Sequence, residues 1–235
     1  MGRAFEFRKE RKFKRWSKMA KAFTRIGKAI AIAVKEGGPI PETNSKLRAA
    51  IQNAKDANMP KDNIERAIKK ASSKDAADLK ETLFEGYAPH GIAILIETAS
   101  DNNNRTVANI RSYFNKCKGS LGTSGSVSFM FEHNCHFKIH KGEHDLEELE
   151  LEMIDYGAEE IFAEEEHIMI YGAFENFGSI QSALEERQID ILASGFERIP
   201  STTKALEGGE EADVEKLLGL IEEDDDVLNV FHNMI

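Results

Sequence analysis

"GIAILIETASDNNNRTVANIRSYFNKCKG", residues 91–119, is the stretch on which the reading of the whole chain turns. Its first nine residues are almost entirely apolar and rich in isoleucine, which reads as a short buried strand. The polar run "SDNNNR" breaks that pattern. Val107, Ile110, Phe114 and Cys117 then recur at three- and four-residue steps, the period of a helix with one buried face. A strand, a tight polar turn and a helix in 29 residues make a unit that needs further strands beside it.

Downstream the alternation continues. "GSLGTSGS" (119–126) reads as a glycine-serine turn, "VSFMFE" (127–132) as a strand, and "CHFKIH" (135–140) as another. Leu146, Leu149, Met153 and Tyr156 predict a helix, and "EIFAE" with "HIMIYGA" a hairpin around a glutamate turn. A helix over 176–187, a strand through "DILASGFERI", an acidic helix near 211–223 and a final strand "VLNVFHN" complete the series. Short strands alternating with helices argue α+β or α/β packing.

Upstream the chain is helical. Met19, Phe23, Ile26, Ile30 and Val34 form one apolar stripe, closed by Gly37-Gly38-Pro39. A second helix starts near Asn44, buries Leu47, Ile51 and Ala54, and ends before Pro60, which opens a third helix carrying Ile64, Ile68 and Ala71. "SSKDAAD" (72–78) reads as a linker.

Charge changes sign at that linker. The 235 residues carry a formal net charge of −10, but residues 1–71 hold 19 Lys and Arg against 7 Asp and Glu, a net of +12. The remainder holds 12 basic and 34 acidic residues, a net of −22. On the first helix Lys18, Lys21, Arg25 and Lys28 form a stripe of their own, and "FRKERKFKRW" (7–16) interleaves cations with aromatic rings. Cations attract phosphate and rings stack on bases. A merely solvated face, a membrane-surface helix built on "IAIAV" and a transit peptide are the alternatives. Persistence of the excess through three helices favours phosphate binding.

Nothing in the chain demands catalysis or a cofactor. His133, Cys135, His136, His140 and His144 crowd together, but neighbours in a strand point to opposite faces and cannot make one tetrahedral zinc set. "EEE" (164–166) and "DDD" (224–226) read as solvated turns rather than ion sites. "KGSLGTSGSVSF" (118–129) has glycines but not the spacing of a P-loop, and it precedes a strand. The enzyme alternative, metal-assisted chemistry on the acidic runs, therefore has little behind it. With 41% apolar residues, two cysteines and no run of eighteen apolar residues, the expectation is a chain without a membrane span, acting in a reducing cytoplasm.

"KAFTRIGKAI", "NSKLRAAIQNAKDANMPKDNIERAIKKA", "FEGYAPHGIAILIETASDNNNRTVANIRSYFNKCKGSLGTSGSVSFMFE" and "VLNVFHN" together resemble the YebC/PmpR family, which includes the mitochondrial translational activator of cytochrome c oxidase. The resemblance implies an N-terminal three-helix domain followed by two α/β domains, the third inserted into the second. The expected bounds are 1–82, 83–133 plus 201–235, and 134–200. It also implies a non-enzymatic regulator of gene expression, either a DNA-binding transcriptional regulator or a ribosome-associated translation factor that binds rRNA and relieves stalling. One departure is plain: many members begin with a segment like "AGHSKWANIKHRK", where this chain reads "GRAFEFRKERKFKRW".

The phosphate contacts expected are Lys18, Lys21, Arg25, Lys28, Lys46, Arg48, Arg66, Lys69 and Lys70. Arg105 and Arg111, with the loop 119–126, form a second surface. DNA or the ribosome's rRNA is the expected partner of the basic domain, and the acidic domains are open to a protein partner. Oligomeric state is not legible.

Overall fold

The computed structural model describes residues 21–73, 76, 78–142 and 144–235, and these fall into two compact units divided between Ala76 and Ala77. The first unit is helical. Helix α1 covers 21–37, α2 Ser45–Asp56 and α3 Lys61–Ala71. Their apolar stripes meet in one core of Ile30, Ala33, Val34, Leu47, Ala50, Ala54, Ile64 and Ala71.

Asn44 joins the first two helices. Its side-chain oxygen caps α2 by accepting from the Leu47 amide at 3.0 Å, while its Nδ2 donates to the carbonyls of Ala33 and Gly38. The end of α1 therefore lies against the start of α2 with its carbonyls satisfied. Gly38 adopts φ 84°, the left-handed conformation that ends a helix at little cost to glycine. Pro60 stands just ahead of α3 as its N-cap, one position earlier than the first-turn place expected.

The second unit contains two four-stranded sheets. In the first, β1 (Lys80–Tyr87), β2 (Ala93–Ser100), β3 (Ser120–Leu121) and β8 (Val227–His232) stand in the order β3-β1-β2-β8, all pairs antiparallel. Helices α4 (Asn103–Lys116) and α7 (Glu210–Glu222) cover one face, burying Ile110, Phe114, Val214, Leu217 and Ile221 against Phe84, Ile94 and Ile96. Gly86 lets β1 pass close to that layer: a Cβ there would come within 2.6 Å of the Ser120 carbonyl and 2.8 Å of the Phe114 ring.

The second sheet is made by β4 (Phe131–His140), β5 (Ala158–Glu164), β6 (His167–Ala173) and β7 (Ile191–Pro200), in the order β5-β6-β4-β7, again all antiparallel. Helices α5 (Leu146–Ile154) and α6 (Phe177–Glu186) pack on one side over Cys135, Phe137, Ile139, Ile161, Ile168 and Ile170. This β-α-β-β-α-β order with that strand sequence is the ferredoxin-like arrangement. It is contained wholly within residues 131–200, so the first sheet is interrupted after β3 and resumes only with β8. The chain is α+β, a helical region followed by two further α/β parts.

Three readings from sequence change. Strand β1 went unseen, because its inward position 85 is a glutamate. "VSFMFE" is not a strand throughout: Ser128–Met130 forms a 3-10 turn. "CHFKIH" is not separate from it either, since β4 runs unbroken from Phe131 to His140.

Candidate nucleic-acid interface

The positions expected to meet phosphate divide by what surrounds them. Lys18 and the basic-aromatic stretch 7–16 lie outside the described residues. On α1, Lys21, Arg25 and Lys28 are half-buried along one helix. On α2, Lys46 pairs with Glu36 at 2.5 Å, so its charge is met within the unit. Arg48 donates through Nη1 to the carbonyls of Pro41 and Glu42 at 3.0 and 3.1 Å, holding the turn ahead of its own helix.

Helix α3 is different. Arg66 bonds the Asp62 carbonyl and Asn63, not a carboxylate. Lys69 and Lys70 are exposed in the last turn and have no ion-pair partner among the described residues. Two cations at a helix C-terminus are favoured by the helix dipole, and both are exposed to solvent.

In the second unit Arg105 is turned inward onto carboxylates. Its guanidinium reaches Asp226 at 2.9 Å and Asp101 at 3.1 Å, and those two partners hold its pKa above the ordinary value. Asp226 is buried and also accepts from the hydroxyls of Ser100 and Thr106, both at 2.9 Å. Asp224 accepts from Asn109 and Tyr113. Burial first, then Asp224, pushes the Tyr113 phenol up to about 12. The "DDD" run is thus not a solvated turn. It fastens the segment between α7 and β8 to the start of α4.

Arg111, Lys116 and Lys118 remain exposed along α4 and beyond it, without ion-pair partners among the described residues. The neighbouring loop is shaped from within. The buried Glu85 carboxylate accepts from the amides of Gly125, Val127 and Ser128 at 2.7, 2.8 and 2.8 Å. Burial raises its pKa, but those amides outweigh burial and hold it below the ordinary value. Successive amides facing one carboxylate make an anion nest. This nest is filled by the protein's own side chain, so the glycine-serine segment is a pinned loop rather than a loose turn. No sequence signal marks it, since the partner lies some 40 positions upstream in the unrecognised strand.

The histidine and cysteine cluster disperses along β4. Cys135 is buried, its thiol donating to the Ala173 carbonyl at 3.3 Å, and burial pushes its pKa to about 11. His133 stacks on Phe174, and His140 lies against His167. Among the described residues no group of three or more His, Cys, Asp or Glu is disposed to hold a metal. Likewise, no helix among them is long and apolar enough to cross a membrane.

A helical unit with exposed lysines at the end of α3, followed in the chain by two antiparallel sheets with one nested inside the other, defines a modular α+β chain. Family comparisons give it a place. Residues 3–74 match the TACO1/YebC protein N-terminal domain, and residues 79–234 match the TACO1/YebC second and third domain. The chain belongs to the TACO1/YebC family. It is 70% identical to a "Probable transcriptional regulatory protein" of Flavobacterium johnsoniae, over all of this chain and 99% of that one. A protein of the same description from Parabacteroides distasonis is 57% identical, over all of this chain and 97% of that one. Among solved structures, the conserved hypothetical protein Aq1575 from Aquifex aeolicus is similar, with a TM-score of 0.77 and 38% identity over 92% of this chain and 90% of that one.

Proposed function

We propose that this chain is a non-enzymatic regulator of transcription that binds DNA through its N-terminal helical unit and acts in the cytoplasm. The observation that carries the reading is the pair Lys69 and Lys70, exposed and unpaired at the end of α3 in a segment with a net charge of +12. Lys18, Lys21, Arg25, Lys28 and Arg66 supply the rest of the cationic surface, while Lys46, paired with Glu36, and Arg48, bound to the turn ahead of α2, support it from within. Arg111 with Lys116 and Lys118 is the second contact, and Arg105 serves that surface by fixing the start of α4. The relatives' description as transcriptional regulators supports the same reading.

Lysines position a protein on phosphates without reading bases, so little sequence discrimination is expected. The two-sheet unit is taken as two domains close to 83–133 plus 201–235 and 134–200. Because β1 begins at Lys80 and β4 at Phe131, the cuts are moved from 82/83 and 133/134 to the starts of those strands.

The test is duplex-DNA affinity against salt. Contact with about five to eight phosphates gives a log–log slope of roughly −4 to −7. Reversing Lys69 and Lys70 to glutamate lowers affinity and flattens the slope by about two. A slope near zero overturns the reading. Co-sedimentation with ribosomes together with failure to bind free duplex at matched salt replaces DNA with rRNA as the target.

A further inference from the structure

The ferredoxin-like sheet has a second face that none of the four apolar clusters reaches. Strand pairing places His136, Tyr171, Gly195 and Glu160 in one row across it, and Lys138, Met169, Phe162 and Ala193 in the next. Two aromatic side chains from adjacent rows meet diagonally here: the Phe162 and Tyr171 rings are nearly parallel, 12° apart in plane and 6.0 Å between centroids. Phe162 is 37% exposed, on the edge strand β5. The pair leaves part of an aromatic surface facing solvent at the sheet edge.

The charges around these rings have one dominant sign. Glu160 and Glu164 flank Phe162 on β5, and Glu197 on β7 accepts from the Tyr171 hydroxyl at 3.3 Å. Burial, then Glu197, Glu160 and Glu164, push the Tyr171 phenol up to about 12, which registers their combined field at that ring. Lys138 is the one lysine in the two rows. His136 adds no cation at neutral pH, because burial holds its pKa below the ordinary value, and its Nδ1 has no hydrogen-bond partner. The His136 ring lies beside Gly195, where a Cβ would come within 3.0 Å of it, so the imidazole fills the space that a side chain at 195 would take.

We infer that this face is a docking surface for an arginine-rich peptide segment of a partner protein, with guanidinium groups placed over Phe162 and Tyr171 and paired to Glu160, Glu164 and Glu197. Aromatic faces attract cations, most effectively the planar guanidinium, which also matches carboxylates through paired N–H groups. The same rings could stack on bases, but a phosphate chain laid across this sheet would meet three carboxylates. Charge complementarity therefore selects the cationic peptide. The inference does not depend on what the N-terminal unit binds.

The experiment uses the full chain and a fluorescein-labelled arginine–glycine repeat peptide, followed by anisotropy, with a uridine oligonucleotide and a lysine–glycine peptide in parallel. The Glu160→Gln/Glu197→Gln double variant weakens arginine-peptide binding about tenfold, and Phe162→Ala weakens it several-fold. The lysine peptide binds more weakly than the arginine peptide. A charge-matched control, Glu147→Gln/Glu148→Gln on the exposed side of α5, leaves binding unchanged. Phe162 is exposed, so its removal leaves the fold intact, which circular dichroism checks. Equal losses in the two double variants would reduce the effect to general attraction by an acidic body and overturn the proposal. So would an absence of peptide binding. Oligonucleotide binding that Phe162→Ala lowers and Glu160→Gln/Glu197→Gln strengthens would assign the face to nucleic acid instead.

Discussion

Both sheets of the second unit have four antiparallel strands and two helices on one side, yet their other sides are treated differently. On the first sheet, Leu83, Tyr87, Ala93, Leu95 and Phe231 are roofed by Val127, Met130 and Phe131 from the segment leading into β4. On the second, no buried apolar cluster forms, and Met169, Phe162 and Ala193 stand among polar and charged side chains. An antiparallel sheet needs only one buried face to be stable. Besides that apolar packing, the buried Glu85 carboxylate and the Tyr87 hydroxyl bind the backbone of the roof segment, and the network around Asp226 locks the last strand to its helix. The first sheet is thus built to be closed, the second to keep a face available.

Substitutions sharpen that contrast, and the largest effects belong where the sheets are alike. Phe114→Ala beneath the first and Phe137→Ala beneath the second each remove a fully buried ring, costing about 3–5 kcal/mol in urea unfolding. A cost below about 1 kcal/mol for either would mean its core is not the one described. Asp226→Ala should come next, at about 3 kcal/mol, by stranding the Thr106 hydroxyl and freeing Arg105. Asp226→Asn should recover part of that loss.

Glu85→Gln is expected to cost about 2 kcal/mol, since an amide group offers a donor to backbone donors. Its signature is in pH. The folded pKa of Glu85 lies below its unfolded value near 4.5, so its contribution is present above that value and is lost as pH falls through the folded pKa. Stabilities of wild type and variant should converge in acid, and protease sensitivity at 122–125 should rise in the variant.

Smallest is Tyr171→Phe on the open face, about 0.5 kcal/mol at neutral pH. The Tyr171 pKa is raised to about 12, so whatever stability the phenol adds is present below pH 10 and is lost as pH climbs toward 12. Unfolding curves for the pair should approach each other over that interval. If Tyr171→Phe costs as much as Glu85→Gln, the second sheet is not open and the contrast fails.

Much of this architecture could be read from residue spacing. The three N-terminal helices, the isoleucine strand, the helix through Phe114 and the 158–173 hairpin all follow from apolar periodicity, because their buried faces are apolar. What escaped was held by polar groups. Strand β1 hides behind Glu85, whose partners are amides and leave no trace in side-chain pattern. The aspartate run looked solvated because its partners, Ser100, Arg105 and Thr106, lie about 120 positions away. Among the cations, spacing showed which share a helix but not which are neutralised: Lys46 and Lys69 look alike in sequence, yet only Lys46 sits beside a carboxylate.

The return of β8 to β2 also sets an order of events during synthesis. The second sheet is encoded in one uninterrupted stretch and can assemble as soon as it emerges. The first must wait for a strand made more than a hundred residues after β2, roughly 6–25 s later at about 5–20 residues per second. Through that interval Leu95 and Ile96 sit at an unfinished border, with Asp226 not yet made and Arg105 paired with Asp101 alone. A nascent chain halted in that window should be the species that chaperones hold and proteases remove.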